Sequence, residues 1–565
     1  MSKVLITSAL PYINGVKHLG NLVGSLLPAD VHARFRRQIG DEVLFICGTD
    51  EHGTPAELGA LDACQEVRSF CNSQHQLQAD VYRRFGLSFD HFGRSSCRQN
   101  HALTQHFYRR LDAAGLIDER SVRQVWSPID RRFLPDRYVL GTCPHCGFAA
   151  ARGDQCDCCA SLLDPVDLIR PRSALSRDTQ LELRESRHLF LRQSLLVDRL
   201  NAWLGTRRGW PPFVHSLARS WITSDLRDRC ITRDLTWGVP VPRVGFEQKV
   251  FYVWFDAPIA YIAATQEWAE QNPAARDWRE WWQADDIHYI QFLGKDNVAF
   301  HAVSFPATLI GSDEPWKSVD VIKGFHWHYE GGKFSTSRGR GIFADAALEE
   351  LPADLWRWWL IANAPETSDT DFTVARFAAE VNKDLADAFG NLVNRLIRFA
   401  AQAFDGRVPE NGTPGEREQA LAEEIGQRVA RLRTHHEALE FRQAAAETRA
   451  LWARTNAYLQ QAAPWGAIDS DRAQAAVSTR TAFNLLRLSA VVAWSIVPVL
   501  AQNVLSALGE AIRIPPWPIQ PADELLLRSG RERLLVPIRP LITKLDAAAV
   551  ARLSRRFAGD QPETS

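Results

Sequence analysis

The chain almost lacks methionine, since Met1 is the only one among 565 residues. We interpret this as compositional drift, because leucine and valine can take over core filling. Excess charge is also missing: 66 lysines and arginines face 67 aspartates and glutamates, for a net charge of −1. This balance argues against a protein that binds nucleic acid by bulk charge, although it permits a local basic track. Because no basic and apolar leader opens the sequence, we predict a cytoplasmic protein without a secretory signal.

A clear membrane span is missing as well. Leu488 to Leu508 carries no charged residue over 21 positions, which is long enough to cross a bilayer. Serine, glutamine and asparagine interrupt this stretch, and Pro498 would break or kink a helix. We therefore predict buried helices of a soluble bundle here, and no membrane association.

Periodic patterns in the N-terminal part predict a parallel α/β sheet. Apolar runs at residues 3–8 and 43–48 are typical of buried parallel strands, and a helical pattern over residues 20–37 lies between them. A helical pattern then continues over residues 60–115. Strand-like runs that we assign to the second half of the same sheet cover residues 249–256, 287–294 and 318–324.

Three other segments have sequence patterns that differ from those of the parallel sheet. Between about residues 117 and 240, short strands, many turns and a cysteine cluster predict an inserted domain that splits the sheet. After residue 372 helical periodicity dominates to about residue 512. Four prolines within residues 515–521 mark a linker to an amphipathic segment around residues 545–557. The predicted fold class is α/β: a doubly wound parallel Rossmann-type sheet split by an insertion and followed by an α-helical bundle.

The ten cysteines have no secretory context, which favours a metal site or free thiols over disulfides. Cys143, Cys146, Cys156 and Cys159 have the spacing C-x2-C-x9-C-x2-C, and two such knuckles supply four thiolates in the tetrahedral geometry that suits Zn²⁺. We predict one structural Zn²⁺ per chain, because four thiolates leave no open position for a substrate. A vestigial or disulfide-bonded cluster is the alternative. Cys158, between the better-spaced pair, is interpreted as a spare thiol.

Two short motifs more than three hundred residues apart carry the chemistry. Residues 11–21 (PYINGVKHLGN) follow the first strand and precede the first helix. His18 therefore lies where α/β sheets bind nucleotide phosphates, beside helix N-terminal N–H groups and a close glycine backbone. Residues 333–339 (KFSTSRG) place lysine, hydroxyl side chains and arginine in a glycine-flanked loop, and such a polar loop can close over a triphosphate.

In this order and at this separation, the two motifs resemble the HIGH and KMSKS elements of class I aminoacyl-tRNA synthetases. The resemblance to the methionyl-tRNA synthetase family is closer still and covers essentially the whole chain. The cysteine knuckles fall where that family carries its zinc module. The other matching segments are residues 9–15 (ALPYING), 45–54 (FICGTDEHGT), 230–235 (CITRDL), 252–259 (YVWFDAPI) and 292–301 (FLGKDNVAFH).

The resemblance implies a two-step reaction. L-methionine attacks the α-phosphate of ATP, which comes with Mg²⁺, and gives methionyl-adenylate and pyrophosphate. The methionyl group then passes to the 3′ end of tRNA(Met), for elongation and initiation of protein synthesis. Positioning and charge stabilisation carry most of such chemistry. The implied partners are ATP, L-methionine and tRNA(Met), and we expect a monomer.

The resemblance also assigns residues to three sites. The ATP site, whose catalytic members are His18, Asn21 and Lys333, comprises His18, Gly20, Asn21, Lys333, Ser335, Thr336 and Ser337. The methionine site, in which Asp50 pairs with the ammonium and aromatic walls suit the thioether, comprises Leu10, Tyr12, Asp50, Trp254, Ala257, Pro258, Tyr261, Phe300 and His301. The anticodon site uses Trp465 to stack on a base and Asn391 and Arg395 to bond base edges.

Two positions depart from the family pattern. Asn21 replaces the second histidine of HIGH and can still donate a hydrogen bond. Thr336 replaces the second lysine of KMSKS, and a lost charge-assisted contact to pyrophosphate is worth about 1.5–3 kcal/mol. Arg338, Arg340 and Lys295 are candidates to compensate. The substitution affects the expected efficiency of adenylation and not the reaction type.

The resemblance divides the chain into six segments. They are residues 1–116, the first half of the catalytic domain with the HIGH-like motif; 117–240, the connective insertion with the zinc knuckle at about 140–162; 241–325, the second half of the catalytic domain; 326–385, the KMSKS-like loop and stem-contact region; 386–514, the α-helical anticodon-binding domain; and 515–565, a C-terminal linker and a helix that folds back.

Two alternatives stay open at this stage. A paralogue could form an adenylate for another acceptor, an interpretation that rests on Thr336 alone. A zinc-knuckle nucleic-acid-binding protein without catalysis is the other, although such a protein has no need for His18, Asp50 and Lys333 together. A leucyl or valyl enzyme is excluded because its editing insertion would be larger than the insertion here.

Overall fold

The computed structural model describes residues 2–153, 156, 158–159, 161, 163–223, 226–325, 328–329, 341–366, 371–527, 535–536 and 541–557. The segment 333–339, with the predicted ATP-site residues Lys333, Ser335, Thr336 and Ser337, lies outside the described residues.

The N-terminal segment alternates parallel strands and helices. Its elements are β1 (Lys3–Ser8), α1 (Leu19–Asn21), α2 (Leu27–Gln38), β2 (Glu42–Thr49), α3 (Thr54–Asp62), α4 (Val67–Arg84), β3 (His91–Arg94) and α5 (Arg98–Ala113). A π-helical turn, Leu22–Leu26, joins α1 to α2, so the helix predicted over residues 20–37 is confirmed. The expected continuous helical pattern over residues 60–115 is wrong. Strand β3 interrupts it, and its four residues are too few to show a period between two amphipathic helices.

The insertion follows α5 and consists mainly of antiparallel strands. Its elements are β4 (Ile117–Ser127), β5 (Arg132–Phe133), β6 (Val139–Thr142), β7 (Ala151–Arg152), β8 (Ile169–Ser173), β9 (Glu182–Leu191), α6 (Val197–Gly205), α7 (Pro212–Thr223), β10 (Arg229–Cys230) and β11 (Thr232–Arg233). One sheet has the order β10-β9-β4-β5, and a second, β7-β6-β8, supports the cysteine cluster. The inserted domain is thus as expected, but strand β4 is long, and the helices α6 and α7 were not predicted.

The chain then returns to the central sheet. Its next elements are β12 (Val250–Phe251), α8 (Val253–Asp256), α9 (Ala260–Glu270), α10 (Arg279–Trp282), β13 (Ile287–Gly294), α11 (Phe305–Gly311), β14 (Val321–Phe325) and β15 (His328–Tyr329). The predicted strands at 287–294 and 318–324 are confirmed as β13 and β14. The one at 249–256 is wrong: β12 pairs with β11 and bridges Pro240 outside the central sheet, and a helix begins at Val253. A short apolar run fits a buried helix as well as a strand.

All five strands of the central sheet are parallel, in the order β14-β13-β1-β2-β3. Successive strands are added on one side of β1 as far as β3 and on its other side from β13 onward. The topology therefore switches between β1 and β13, where Ser8 lies opposite Phe292. In doubly wound sheets, ligands bind outside the carboxyl ends of the strands at this reversal. The sheet therefore opens a crevice next to residues 9–21 and 295–301.

The C-terminal half is helical, as predicted. Its elements are α12 (Ala344–Glu350), α13 (Ala353–Ala362), β16 (Asp371–Phe372), α14 (Val374–Val381), α15 (Asn391–Ala403), α16 (Glu416–Glu437), α17 (Phe441–Ala462), α18 (Pro464–Ala467), α19 (Arg472–Ala493), α20 (Pro498–Ala507), α21 (Pro521–Leu527) and α22 (Ala547–Arg556). The apolar stretch 488–508 is divided between α19 and α20, and α20 begins at Pro498. Among the helices described, none has both the length and the apolar composition needed to span a membrane.

A buried ion pair ties the helical half to the sheet. Arg357 on α13 donates to the Asp30 carboxylate on α2 at 2.6 Å, and neither side chain is exposed. Arg357 also donates to the carbonyl oxygens of Ser495 and Ile496, at 3.1 and 2.8 Å, and Asp30 accepts from the Ser88 N–H at 2.7 Å. A buried pair keeps its charge only when its remaining donors and acceptors are satisfied. This network therefore fixes how the two halves pack.

Candidate active site

His18 begins the helix that follows strand β1, at the opening of the crevice. Its ring Nδ1 accepts a hydrogen bond from the Asn21 N–H at 3.3 Å, so the ring caps its own helix. Only 7% of the residue is exposed, and this burial, with the nearby charge of Lys17, lowers the pKa of His18 to about 3. The imidazole is therefore neutral at pH 7. Because Nδ1 accepts, the ring proton lies on Nε2, where it can be donated to an anion.

Lys17, beside His18, is a polar residue that the sequence did not single out. It is 3% exposed, and its Nζ donates to the Asn14 Oδ1 at 2.9 Å. No carboxylate among the described residues lies within 4.0 Å of it. Burial lowers the pKa of Lys17 to about 7, with Asp50 opposing the shift. The crevice thus contains a buried amine that an incoming anion would favour in its charged form.

The chain that follows the KMSKS-like segment runs past His18. The Leu19 N–H donates to the Ile342 carbonyl at 2.8 Å, and the Ala344 N–H donates to the Lys17 carbonyl at 3.0 Å. His18 and Phe343 thereby form an antiparallel bridge. These bonds place residues 342–344, which follow the KMSKS-like segment in the sequence, directly beside the HIGH-like turn.

Asp50 and Glu51 follow strand β2 and have opposite surroundings. The Glu51 carboxylate is saturated: it accepts from the Thr49 hydroxyl at 2.7 Å, from the Ser96 hydroxyl at 2.5 Å and from two Arg94 nitrogens at 3.0 and 2.8 Å. Asp50 is 5% exposed, and its Oδ1 has no hydrogen-bond partner among the residues described. Burial, with the charges of Asp256 and Glu51, raises the pKa of Asp50 well above its ordinary value. Such a carboxylate is suited to a cationic ligand.

Asp50 is part of a cavity at the carboxyl ends of β1 and β2. Eight of the nine residues predicted for the methionine site line it. The ninth, Phe300, stays outside the cavity and stacks on Trp254, with 3.7 Å between the ring centroids and 11° between the planes. The sequence missed one lining residue, Asn297, although it lies within the motif FLGKDNVAFH. The complete lining is Leu10, Tyr12, Asp50, Trp254, Ala257, Pro258, Tyr261, Asn297 and His301.

One side of this cavity is a chain of neutral polar groups. The His301 Nδ1 lies 2.9 Å from the Asn297 carbonyl oxygen, so Nδ1 carries the ring proton and donates it. The other nitrogen, Nε2, then accepts from the Tyr261 hydroxyl at 3.1 Å. Burial lowers the pKa of His301 to about 4 and raises that of Tyr261. The wall is therefore uncharged at pH 7, as a pocket for an apolar side chain requires.

The four predicted metal ligands form a compact cluster. The sulfur atoms of Cys143, Cys146, Cys156 and Cys159 all lie within 4.8 Å of one another, with Cys143–Cys159 at 3.8 Å and Cys146–Cys156 at 3.6 Å. Zn–S bonds of 2.3 Å in a tetrahedron give S···S edges of about 3.8 Å, whereas a disulfide needs about 2.05 Å. The Cys158 N–H donates to the Cys156 sulfur at 3.4 Å, so Cys158 contributes backbone and stays outside the cluster. The geometry fits a four-thiolate metal ion.

The three residues predicted to read the anticodon are neighbours on the surface of the helical half. Asn391 begins α15 and is exposed, and Arg395 follows one turn later. The Arg395 guanidinium lies 5.1 Å from the ring centroid of Trp465, and Trp465 is 42% exposed. Phe399 contacts the other edge of that ring at 6.2 Å. This surface, which we call the Trp465 face, offers an aromatic plane, a cation and an amide side by side.

Comparisons with known proteins agree with this geometry. The family model described as tRNA synthetases class I (M) matches residues 4–397, and the model described as anticodon binding domain of methionyl tRNA ligase matches residues 408–562. A methionine–tRNA ligase of Caulobacter vibrioides is 55% identical over 99% of this chain and 100% of its own length. One of Ruegeria sp. is 53% identical over 99% of each chain.

A solved structure shares the fold. The Mycobacterium tuberculosis methionyl-tRNA synthetase in complex with methionyl-adenylate superposes with a TM-score of 0.76. The match covers 96% of this chain and 99% of that one, at 24% sequence identity.

Proposed function

The chain belongs to the methionyl-tRNA synthetase family, and on that premise we propose that it activates L-methionine with ATP and transfers the methionyl group to the 3′ end of tRNA(Met). One observation carries the proposal. The buried Asp50 carboxylate has an oxygen without a partner among the described residues, in a cavity whose other walls are apolar, aromatic or neutral polar. That arrangement suits an α-ammonium group attached to an unbranched apolar side chain.

Within this cavity, the ammonium group pairs with Asp50 and the thioether packs among the aromatic rings. Tyr12 meets Trp254 edge to face, with 6.4 Å between the ring centroids. Thioether sulfur makes favourable contacts with aromatic rings, and a flexible unbranched chain fills the space between them. Pairing with the ammonium lowers the raised pKa of Asp50, because a neighbouring positive charge stabilises the carboxylate form. Methionine binding is therefore expected to release a proton.

The first chemical step needs charge stabilisation more than acid–base catalysis. The methionine carboxylate oxygen bonds to the α-phosphorus of ATP, and the bond to the pyrophosphate oxygen breaks. His18 donates from Nε2 to the phosphate that gains charge, and the first N–H groups of α1 add a favourable dipole. Lys17 becomes protonated when phosphate enters, which adds a positive charge beside His18. Mg²⁺ comes with ATP as part of the substrate.

The second step joins the catalytic cavity to the Trp465 face. A ribose hydroxyl of the terminal adenosine attacks the methionyl carbonyl, and the bond to AMP breaks; the hydroxyl proton moves to the departing phosphate. The Trp465 face selects tRNA(Met) by stacking on an unpaired anticodon base and bonding its edges. Because these residues lie on α15 and α18, they act on tRNA only and leave adenylate formation unaffected.

Four thiolates are the ligand set of structural Zn²⁺, so we propose that Cys143, Cys146, Cys156 and Cys159 hold one zinc ion. When bound, the ion supplies cross-linking of the small β7-β6-β8 sheet and no chemistry at the substrate. We also propose that the protein acts as a monomer in the cytoplasm. All ten cysteines are unpaired by disulfides, which suits a reducing compartment.

Charging of unfractionated tRNA with radiolabelled methionine, ATP and Mg²⁺ tests the proposal. We expect incorporation that is specific for methionine and lost in His18→Ala. Pyrophosphate exchange without tRNA charging would instead identify an enzyme that makes the adenylate for another acceptor. Absence of both activities in a folded, zinc-loaded protein would overturn the proposal.

A further inference from the structure

A second cavity adjoins the methionine cavity. Trp254 and Pro258 line both, so a single layer of side chains separates them. Its other walls come from the insertion and from the helix that carries Phe300, including Leu191, Arg229 and Phe305. Neither step of the proposed reaction uses it.

Arg229 gives this cavity a cation without a counter-ion. Its guanidinium lies between two rings, 5.1 Å from the centroid of Trp221 and 5.0 Å from that of Phe300. Within the described part of the chain, no carboxylate lies within 4.0 Å of it and no acceptor is within hydrogen-bond distance. Arg229 is half-buried, and the planar fork of a guanidinium matches carboxylate and phosphate groups.

Two further polar groups of the cavity are left unsatisfied. Gln193 is 1% exposed; its Nε2 donates to the Arg227 carbonyl at 2.6 Å, while its Oε1 has no partner among the residues that the structure describes. Because a carbonyl oxygen accepts from it, the atom that faces Arg227 is the Gln193 nitrogen, and the other amide atom is the oxygen. The Ser304 hydroxyl is also buried without a described partner. Buried polar atoms in native proteins almost always have partners, so each unpaired one needs an explanation.

We propose that this cavity is a second ligand site, which takes a small carboxylate with a hydrogen-bond donor on its α-carbon and a short apolar chain. The carboxylate would accept from the Arg229 guanidinium and the Ser304 hydroxyl. The α-donor, a hydroxyl or an ammonium group, would reach the Gln193 Oε1. The apolar chain would pack against Leu191 and Phe305. The second ligand would bind through Arg229, Ser304 and Gln193 and not through Asp50, so the inference stands apart from the proposed function.

The two cavities are expected to be coupled. Arg229 contacts Phe300, and Phe300 stacks on Trp254, which forms a wall of the methionine cavity. A ligand that draws the guanidinium away from the Phe300 ring changes the support of that wall. Coupling of this kind is reciprocal, so methionine must alter the affinity for the second ligand by the same factor.

The probe that separates the sites is 2-hydroxy-4-(methylthio)butanoate. It carries the carboxylate, an α-hydroxyl donor and a thioether chain, but no ammonium group for Asp50. Titration calorimetry should detect binding to the wild-type protein in the presence of saturating methionine. We expect binding at least about tenfold weaker in Arg229→Gln, a loss of one charge-assisted contact, and little change in Asp50→Asn. The desoxy acid, 4-(methylthio)butanoate, should bind more weakly, and the methyl ester should not bind.

Several results would overturn the inference. Binding lost in Asp50→Asn and kept in Arg229→Gln would place the probe in the methionine cavity. Displacement of the probe by methionine in strict competition would do the same. No binding at millimolar concentration would mean that water alone satisfies these groups. Arg229→Lys, which keeps the charge without the planar fork, guards against misfolding of Arg229→Gln, since both variants must still bind methionine. Because charging of tRNA with methionine is measured separately from binding of this probe, failure here leaves the proposed function untouched.

Discussion

The methionine cavity and the Trp465 face differ in how much of their chemistry is built before a ligand arrives. The cavity is lined by buried and half-buried residues, with one Asp50 oxygen that has no partner among the described residues at one end and neutral polar groups at the other. The Trp465 face is open, and its aromatic plane is 42% exposed. In a buried, preorganised site, the free-energy cost of ordering the side chains falls on folding. On an open face, that cost arises when tRNA binds. Changes in the cavity should therefore affect both reaction steps, and changes on the face only the second.

The largest effect should come from His18. Replacing it with alanine removes the donor that faces the charged phosphates, and loss of one such donor costs about 10²–10³-fold in rate. We expect pyrophosphate exchange and tRNA charging to fall together by that factor, with the KM for methionine nearly unchanged. His435→Ala is the matched control, because that ring bonds Glu440 on the helical half, away from the crevice. A His18 variant that exchanged pyrophosphate at the wild-type rate would remove the ring from the reaction.

Asp50→Asn should have the next largest effect, on methionine affinity. Removing one partner of a buried charge pair costs about 2–5 kcal/mol, so the KM for methionine should rise by at least about thirtyfold. The raised pKa of Asp50 also sets the pH dependence. Methionine binding should strengthen as pH rises through that pKa and should release a proton, which calorimetry in buffers of different ionisation enthalpy measures. The variant should lose both effects. An unchanged proton release would assign the titration to another group.

Glu51, the carboxylate next to Asp50, provides a second test of the raised pKa of Asp50. The folded-state pKa of Asp50 lies above the ordinary 3.8, so Asp50 contributes less stability as pH rises above 3.8, and Asp50→Asn should unfold at a higher temperature at pH 7. Glu51→Gln should do the opposite, because it weakens charge-assisted bonds from Arg94 that are worth about 1.5–3 kcal/mol. Thermal unfolding of both variants at pH 7 checks the pair, and shifts of the same sign would contradict it.

Trp465→Ala should have a smaller effect that is confined to the second step. Stacking of a base on an aromatic side chain is worth about 1–3 kcal/mol, so the kcat/KM for tRNA should fall by about 5- to 150-fold. Pyrophosphate exchange should keep its wild-type rate. Val499→Ala, which shortens an exposed side chain on α20, is the control. Loss of exchange in the Trp465 variant would show that the face supports the fold and is not a tRNA-reading surface.

The sequence predicted most of the cavity because its residues sit in contiguous motifs at the ends of strands. Eight of the nine predicted methionine-site residues line it. Lys17 was overlooked because its burial depends on the turn and on the chain near Phe343, which pack together only in the folded protein. Asn297 was overlooked because a polar residue is not the usual wall for a thioether. The difference between Asp50 and Glu51 was also invisible, since it arises from Arg94 and Ser96, more than forty residues away.

Strand assignments failed where local patterns were weakest. Strand β3 has four residues, too few for a period, and the run 249–256 is apolar on all sides, so it fits a buried helix and a buried strand equally. The order of the sheet follows from long-range pairing between β1 and β13, which no local pattern encodes. The motifs nevertheless predicted where β1, β2 and β13 end, and the residues at these ends position the site.

The smallest effect on adenylation should come from the cysteine cluster, because no thiolate there faces the methionine cavity. Cys146→Ser should lower the zinc content from about one ion per chain and the temperature at which the insertion unfolds, since metal binding and local folding are linked. Pyrophosphate exchange should change by no more than a few-fold. Cys158→Ser should keep both zinc and stability, because Cys158 lies outside the four-sulfur cluster. Equal zinc loss in the two variants would make Cys158 a ligand, and a loss of exchange as large as that of His18→Ala would tie the zinc module to the reaction itself.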